Sequence, residues 1–327
     1  MISYFLRRFF YMLVVLFVIS IISFIIIQLP PGDYVTTRIL QLQQSGSTVS
    51  QEEIVSLRRQ YGLDLPGYQQ YFRWIWRILQ GDLGRSFMWN KPVVELIGDR
   101  IFLTMVLSVA TLLFTYLAAI PIGIYSATHQ YSVGDYAFTV VGFIGLAIPN
   151  FLLALVLLYF FYTGLGVNVA GLFSPDYVRA PWSWAKFLDL LKHLPVPIIV
   201  VGTAGTAWLI RVMRGSLLDE LSKQYVVTAR AKGVADRALL FKYPVRIALN
   251  PIISTVGWLL PQIISGGTIV AMVLNLPTTG PLLFDALIGQ DMYLAGAFIM
   301  LLSFLTVIGT FISDMLLMAV DPRIRLE

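Results

Sequence analysis

The sequence predicts an all-α, polytopic membrane protein with six transmembrane helices. Two observations carry that fold class. Charged residues make up 13% of the 327 residues, and the mean hydropathy is +0.78. A soluble domain carries about 25% charged residues, so this chain lacks the charge to cover a water-exposed surface. The charges present are also bunched, for residues 9–29, 101–128, 136–175, 194–210, 247–284 and 292–313 contain no Asp, Glu, Lys or Arg. A bilayer span needs about 20 mostly apolar residues, and only 194–210, which holds Pro195 and Pro197, falls short and borrows from its neighbours.

The first span follows MISYFLRRFF. Its apolar run is longer than the roughly 7–15 residues of a secretory signal, and LPPGD follows without a small-x-small cleavage site, so it reads as a retained helix. Arg7 and Arg8 set its start in the cytoplasm. Residues 1–29 are thus the N-terminus and first span, and 30–100 form a partly helical extracytoplasmic segment. There Ser50-Gln51-Glu52-Glu53 reads as a capping box, with Gly62 ending that helix. Pro66 opens a second run over 68–80, stopped by Gly81 and rich in rings (Tyr68, Tyr71, Phe72, Trp74, Trp76). Such a run either anchors at the headgroups or forms a landing surface for an extracytoplasmic partner; anchoring is the commoner use. Residues 101–327 hold the other five spans. Segments 136–175 and 247–284 are long, and Gly164, Gly166, Asn275 and Pro277 predict one span plus a loop in each.

With the N-terminus inside, both termini are cytoplasmic, and the short loops hold 8 Lys and Arg inside against 3 outside. The excess positive charge, +5, therefore reads as topology rather than nucleic-acid binding. With no cysteine there is no disulfide framework. Two histidines, His129 and His193, and the absence of HExxH, GxSxG and P-loop patterns exclude the usual intramembrane protease and nucleotide-binding chemistries. No cofactor or metal set is predicted. Ionisable residues inside the spans are nearly missing; Asp314 lies near the end of the last one, where a cap or salt-bridge role fits better than a midplane coupling site. A secondary transporter or channel is the alternative function, and a structural assembly factor a third.

The polar island 211–250 holds eight of the 23 Lys and Arg. It predicts a helix over 217–232, with Leu217, Leu221, Tyr225 and Ala229 on one face, and a second from about Asp236 carrying Leu239, Leu240 and Val245. Arg230 and Lys232 suit the negative end of the helix dipole, and Gly233 suits a left-handed cap. Such a loop lies on anionic lipid or fits a partner's groove.

The run Val227-Thr228-Ala229-Arg230-Ala231-Lys232-Gly233, with Tyr243-Pro244-Val245-Arg246 after it, resembles the EAA loop of binding-protein-dependent ABC importer permeases, closest to the oligopeptide/dipeptide group. LRRQYGLDLPGYQQY (57–71), GDLGRSF (81–87), AIPNF (147–151), LNLPTTGPLL (274–283) and DPRIR (321–325) match that group in order along nearly the whole chain. The resemblance implies a type I importer permease fold in a bacterial or archaeal inner membrane. It also implies a second similar permease, two ATPase subunits and an extracytoplasmic binding protein. The ATPase contact would fall on Tyr225, Thr228, Ala229, Arg230, Ala231, Lys232 and Gly233. The chain departs from the pattern in its fifth span. Peptide-type members commonly carry an acidic residue in a V-E-T-like run followed by W-P-G, whereas this chain has Val270-Ala271-Met272 and then Asn275-Leu276-Pro277-Thr278. A path without that carboxylate suits a short oligosaccharide as well as a peptide.

Overall fold

The computed structural model describes residues 2–29, 35–36, 39, 50–61, 63–256, 259, 262 and 267–320. The described helices are α1 (Ile2–Gln28), α2 (Gln51–Tyr61), α3 (Gly67–Leu79), α4 (Val93–Thr128), α5 (Val133–Ala147), α6 (Asn150–Leu165), α7 (Pro175–Val178), α8 (Trp184–His193), α9 (Pro195–Leu221), α10 (Gln224–Ala231), α11 (Asp236–Lys242), α12 (Pro244–Ala248), α13 (Asn250–Ser254), α14 (Thr268–Val273), α15 (Thr279–Ile288) and α16 (Met292–Val320). The all-α expectation holds. Hydrocarbon offers the backbone no water to bond, so a chain this apolar satisfies its amides within helices.

The described residues do not confirm the exact count of six spans; they hold four, or five if the bent pair α5–α6 is one span. Among the described residues, α1, α4, α9 and α16 are long and apolar enough to cross a membrane. Segment 136–175, expected as one span plus a loop, holds two helices, α5 and α6, which together are apolar enough for one broken span and are bent by 104°. The bend falls at Ile148-Pro149, inside the AIPNF match. Ile148 is extended (φ −84°, ψ 120°) because a residue before proline is pushed out of the helical region, and the helix restarts behind Pro149. Gly166 ends α6 at φ 65°, as the sequence predicts. Segment 247–284 is described only in pieces, with 257–258, 260–261 and 263–266 outside the described residues. Asn275 (φ 51°) follows α14 as a turn. The side chains of Gln51 and Glu53 in the expected capping box, Gly62, the environment of Asp314 and the 321–325 match lie outside what is described, while α2 starts directly after Ser50.

The chain divides into two compact units. The first comprises Met1–Phe102 and Thr278–Leu305. In it the rings of α3 meet α1 and α16 in a core that includes Phe24, Tyr71, Trp74, Phe87, Leu294 and Phe298. Each part of the GDLGRSF match has a local reason here. Gly81 (φ 79°) ends α3, its amide bonding the Ile78 carbonyl while the Asp82 amide bonds that of Arg77. Gly84 (φ 81°) lies so close to Tyr293 that a Cβ would stand 2.6 Å from the ring. Ser86 donates through its hydroxyl to Asp291 at 2.5 Å. Asp291 is fully buried and also accepts from the amides of Met88 (3.1 Å) and Leu294 (3.2 Å), capping α16.

The second unit comprises Leu103–Pro277 and Thr306–Glu327, and α9 is its axis. It packs against α5, α6, α12, α13, α14 and α8. Small residues admit these close approaches, as is usual between helices in lipid. A Cβ on Gly123 of α4 would stand 2.6 Å from Met213, and one on Gly145 of α5 would stand 2.6 Å from Thr203. Arg214 of α9 makes a bidentate pair with Asp135 of α5 at 3.1 and 2.9 Å. Asp135 is buried, and its carboxylate also accepts the Tyr131 amide at 3.1 Å.

Two outcomes are expected. An Arg214→Met variant strands a buried carboxylate and loses roughly 3–5 kcal/mol, while Asp135→Leu with Arg214→Met recovers most of that loss; thermal unfolding of the purified wild type and the two variants checks it. Burial pushes the Asp291 carboxyl above its usual range, against the pull of the Ser86 hydroxyl and the backbone amides. A raised pKa gives stability that is complete below the ordinary carboxylate value and lost as pH rises through the folded one. The Tm advantage of the wild type over Asp291→Asn should therefore grow as pH falls from neutrality toward 4; a constant difference counts against it.

Candidate functional site

The polar island departs from the helix expected over 217–232. Helix α9 runs on past Arg211 to Leu221, and the chain then breaks. Ser222 turns its hydroxyl back to the Asp219 carbonyl (2.8 Å), and Lys223 is extended (φ −72°, ψ 148°). Leu217 and Leu221 therefore lie on α9, Tyr225 and Ala229 on α10, and the four-residue face does not form. Serine bonding to nearby backbone competes with the helix. Tyr225 spans the break, donating its hydroxyl to the Glu220 carboxylate at 2.5 Å. Burial, then that carboxylate, pushes the Tyr225 phenol up, so it stays a donor.

The second turn forms as expected. Gly233 has φ 78°. The Gly233 amide bonds the Arg230 carbonyl (3.0 Å) and the Val234 amide bonds that of Ala229 (3.3 Å), closing a Schellman cap. Helix α11 begins at Asp236, and Arg230 stands 3.5 Å from the Asp236 carboxylate. Both are well exposed, and such a pair contributes about 0–1 kcal/mol. The second helix stops sooner than expected. Tyr243 leaves helical geometry (φ −117°, ψ −80°) and Pro244 starts α12, so Val245 belongs to a third, short helix. The residue before a proline is pushed from the helical region.

The result is a helical hairpin, α10 and α11, held from beneath by buried Val226 and Leu239. Its outer surface presents Thr228, Arg230, Ala231, Lys232 and Gly233, all exposed, with Ala229 and Tyr225 half-buried. The seven residues singled out from the sequence are thus contiguous, five on the open surface and two supporting it. No group of three or more His, Cys, Asp or Glu suited to a metal is found among the described residues. The surface offers two cations and a small-residue stripe, which is chemistry for docking.

Sequence reasoning missed the parts that anchor this hairpin. Arg214 lies two turns before the break, and its bond to Asp135 ties the end of α9 to the start of α5. Ser132 three residues before Asp135 is a legible cap, accepting the Asp135 amide at 3.1 Å, and marks where α5 starts. Nothing local names Arg214 as the partner, 79 residues away. Glu220 and Val226 were also missed, because the break that gives them their roles was not foreseen.

Comparison with known proteins identifies the family of the chain. A profile described as "Binding-protein-dependent transport system inner membrane component" matches residues 119–326, and its N-terminal companion, "Binding-prot-dependent transport system membrane comp, N-term", matches 1–108. The chain is 36% identical to an oligopeptide transport system permease protein, AppB, of Bacillus subtilis (strain 168), over 99% of this chain and 100% of that protein. It is 32% identical to a putative peptide permease protein of Brucella ovis, over 99% of both. It is 28% identical to the inner membrane ABC transporter permease protein YejB of Escherichia coli O157:H7, again over 99% of both. Profile matches across nearly the whole chain, and full-length relatives above 30% identity, place it in one group: the chain belongs to the binding-protein-dependent transport system inner membrane components, the permease subunits of ABC importers.

Proposed function

We propose that this permease carries short peptides, and that the α10–α11 hairpin is where it is driven by ATPase subunits. The observation that carries the coupling is the hairpin itself. It is an exposed, Schellman-capped pair of short helices, fastened by a buried stem and tied through Glu220 and Arg214 to α9 and α5. A push on Thr228–Gly233 would reach α9 at once, because only the Ser222-Lys223 break separates them, and the Tyr225–Glu220 bond braces that break. Rigid-body movement of such packed helices is a known route to alternating access. Two relatives named for peptide or oligopeptide transport support a peptide cargo. An oligosaccharide, open to the sequence because Val270-Ala271-Met272 lacks a carboxylate, has no comparable support.

The proposed assembly has two ATPase subunits, a second homologous permease in a heterodimer and an extracytoplasmic binding protein. The hairpin and both termini lie in the cytoplasm, the arrangement that the Lys and Arg count in the short loops favours.

Purification of the complex from native membranes in mild detergent tests the reading. Nucleotide-binding subunits and a second permease should accompany the chain, and reversal of Arg230 and Lys232 to Glu should release the nucleotide-binding subunits while leaving the permease pair. Recovery of the chain alone, or unchanged retention in the reversed variant, overturns it. At Gly233 nothing lies within 4 Å of an added Cβ, so only backbone strain, roughly 1–3 kcal/mol, opposes substitution. Gly233→Val should therefore abolish ATP-driven uptake while Gly233→Asn, which tolerates the left-handed region, retains much of it; equal uptake by the two counts against the assignment.

A further inference from the structure

Helix α3 carries apolar side chains on two sides. One side is buried: Tyr71 and Trp74 pack on Phe24 of α1, with ring centroids 5.4 and 6.2 Å from it. The other side is bare. Tyr68 (64% exposed), Phe72 (65%), Trp76 (63%) and Leu79 (74%) fall at helical spacing along one stripe. In water four such side chains in a row form a patch that soluble surfaces rarely keep.

The depth of α3 says what covers the stripe. The contact with Gln28, at the end of α1, comes from Gln70, at 3.0 Å between side chains. The Trp74 ring lies level with Phe24, four residues or about 6 Å back along α1 at the rise of an α-helix. A second ruler agrees. Trp74 packs against Gly296, where a Cβ would stand 2.7 Å from the ring, and Gly296 is four residues, about 6 Å, inside α16. The Tyr71 hydroxyl reaches deeper still, to Ser20 at 2.8 Å. The apolar run Phe10–Gln28 has 19 residues, about 28 Å, which matches a hydrocarbon core of about 30 Å and puts Gln28 at its edge. Helix α3 therefore sits about one turn below the membrane surface, in the range of about 5–10 Å where interfacial helices bury their apolar faces. On α1 Ile22, Ile25 and Ile26 are likewise exposed, as is Leu29 just beyond its end. Arg73, exposed beside the stripe, can lift its guanidinium to the phosphates.

We propose that α3 is an interfacial helix whose Tyr68, Phe72, Trp76 and Leu79 are seated in phospholipid of the leaflet at the C-terminal end of α1. A water-soluble partner does not reach rings below the level of the span ends, which phospholipid does, and burial against the second permease would shield them from both dissolved oxygen and a water-soluble nickel chelate. In this arrangement α3 fixes the height of α1 and α16 in the bilayer through Trp74, wedged between Phe24 and Gly296.

The absence of cysteine from the chain makes the test direct. Single variants Phe72→Cys, Trp76→Cys, Leu79→Cys and Arg73→Cys, with Ile22→Cys as the lipid-facing reference, are spin-labelled in the full complex. They are then reconstituted in phosphatidylethanolamine–phosphatidylglycerol vesicles. Collision with dissolved oxygen and with a water-soluble nickel chelate is measured at each. Labels at 72, 76 and 79 should favour oxygen, as at 22, at a depth of about 5–10 Å, while 73 favours nickel. Nickel access at 72 and 76 overturns the proposal. So does shielding from both reagents, or shielding that appears only when the extracytoplasmic binding protein is added, which would make the stripe a protein-docking surface. Three stripe positions are scored independently, so loss of one variant leaves the question decided by the others.

Discussion

A backbone amide in hydrocarbon has no water to bond, and leaving it bare costs several kcal/mol. That constraint bears on the bend inside the apolar segment 136–175, and the helix ends in the polar segments are closed by local caps as well. The break between α5 and α6 falls at Pro149, which has no amide to satisfy. Those after α10 and α3 fall at Gly233 and Gly81, where Schellman bonds close the open carbonyls. The break after α9 is filled by the Ser222 hydroxyl and the Tyr225–Glu220 bond. Each interruption is thus a place where backbone groups already have partners, and these places give the protein its joints.

Charge follows the same economy. Of the three carboxylates buried among the described residues, two lie at helix starts, and each of these is saturated with donors. Asp135 takes both arms of the Arg214 guanidinium, and Asp291 takes a hydroxyl and backbone amides. Both sit at the first turn of a helix, where the dipole favours an anion. Each joins segments far apart in the chain, so a few bonds define how the helices of a unit are stacked. By contrast the Arg230–Asp236 pair on the hairpin is exposed and weak. The outer face of the hairpin is therefore free to exchange its partners, while the stem under it is not.

Stiff and compliant parts are thereby divided in a way that suits a driven permease. In the second unit α9 is clasped along its length by close small-residue contacts. Beyond it lies a hairpin held by two buried side chains, Val226 and Leu239, and one phenol. In the first unit Trp74 occupies the gap left by Gly296, and a Cβ there would push it out. The proposed lipid contact of α3 and the proposed protein contact of α10–α11 are built from the same material, short helices with one face left open.

The sequence by itself determined the all-α membrane class, the ends of α3, α6 and α10, and the contiguous surface from Thr228 to Gly233. Those features depend on composition and on bonds within a few residues, which local chemistry decides. The bend at Pro149 was equally local and was overlooked in favour of Gly164 and Gly166, as was the stop at Ser222-Lys223. Tertiary structure alone decided which buried carboxylate meets which donor. Asp135 finds Arg214 across 79 positions and Asp291 finds Ser86 across 205, pairings no periodicity encodes. It also decided that α3 lies a turn below the ends of α1 and α16. Its amphipathic pattern favours a membrane while leaving a partner open, and only the positions of Phe24 and Gly296 against Trp74 set its depth.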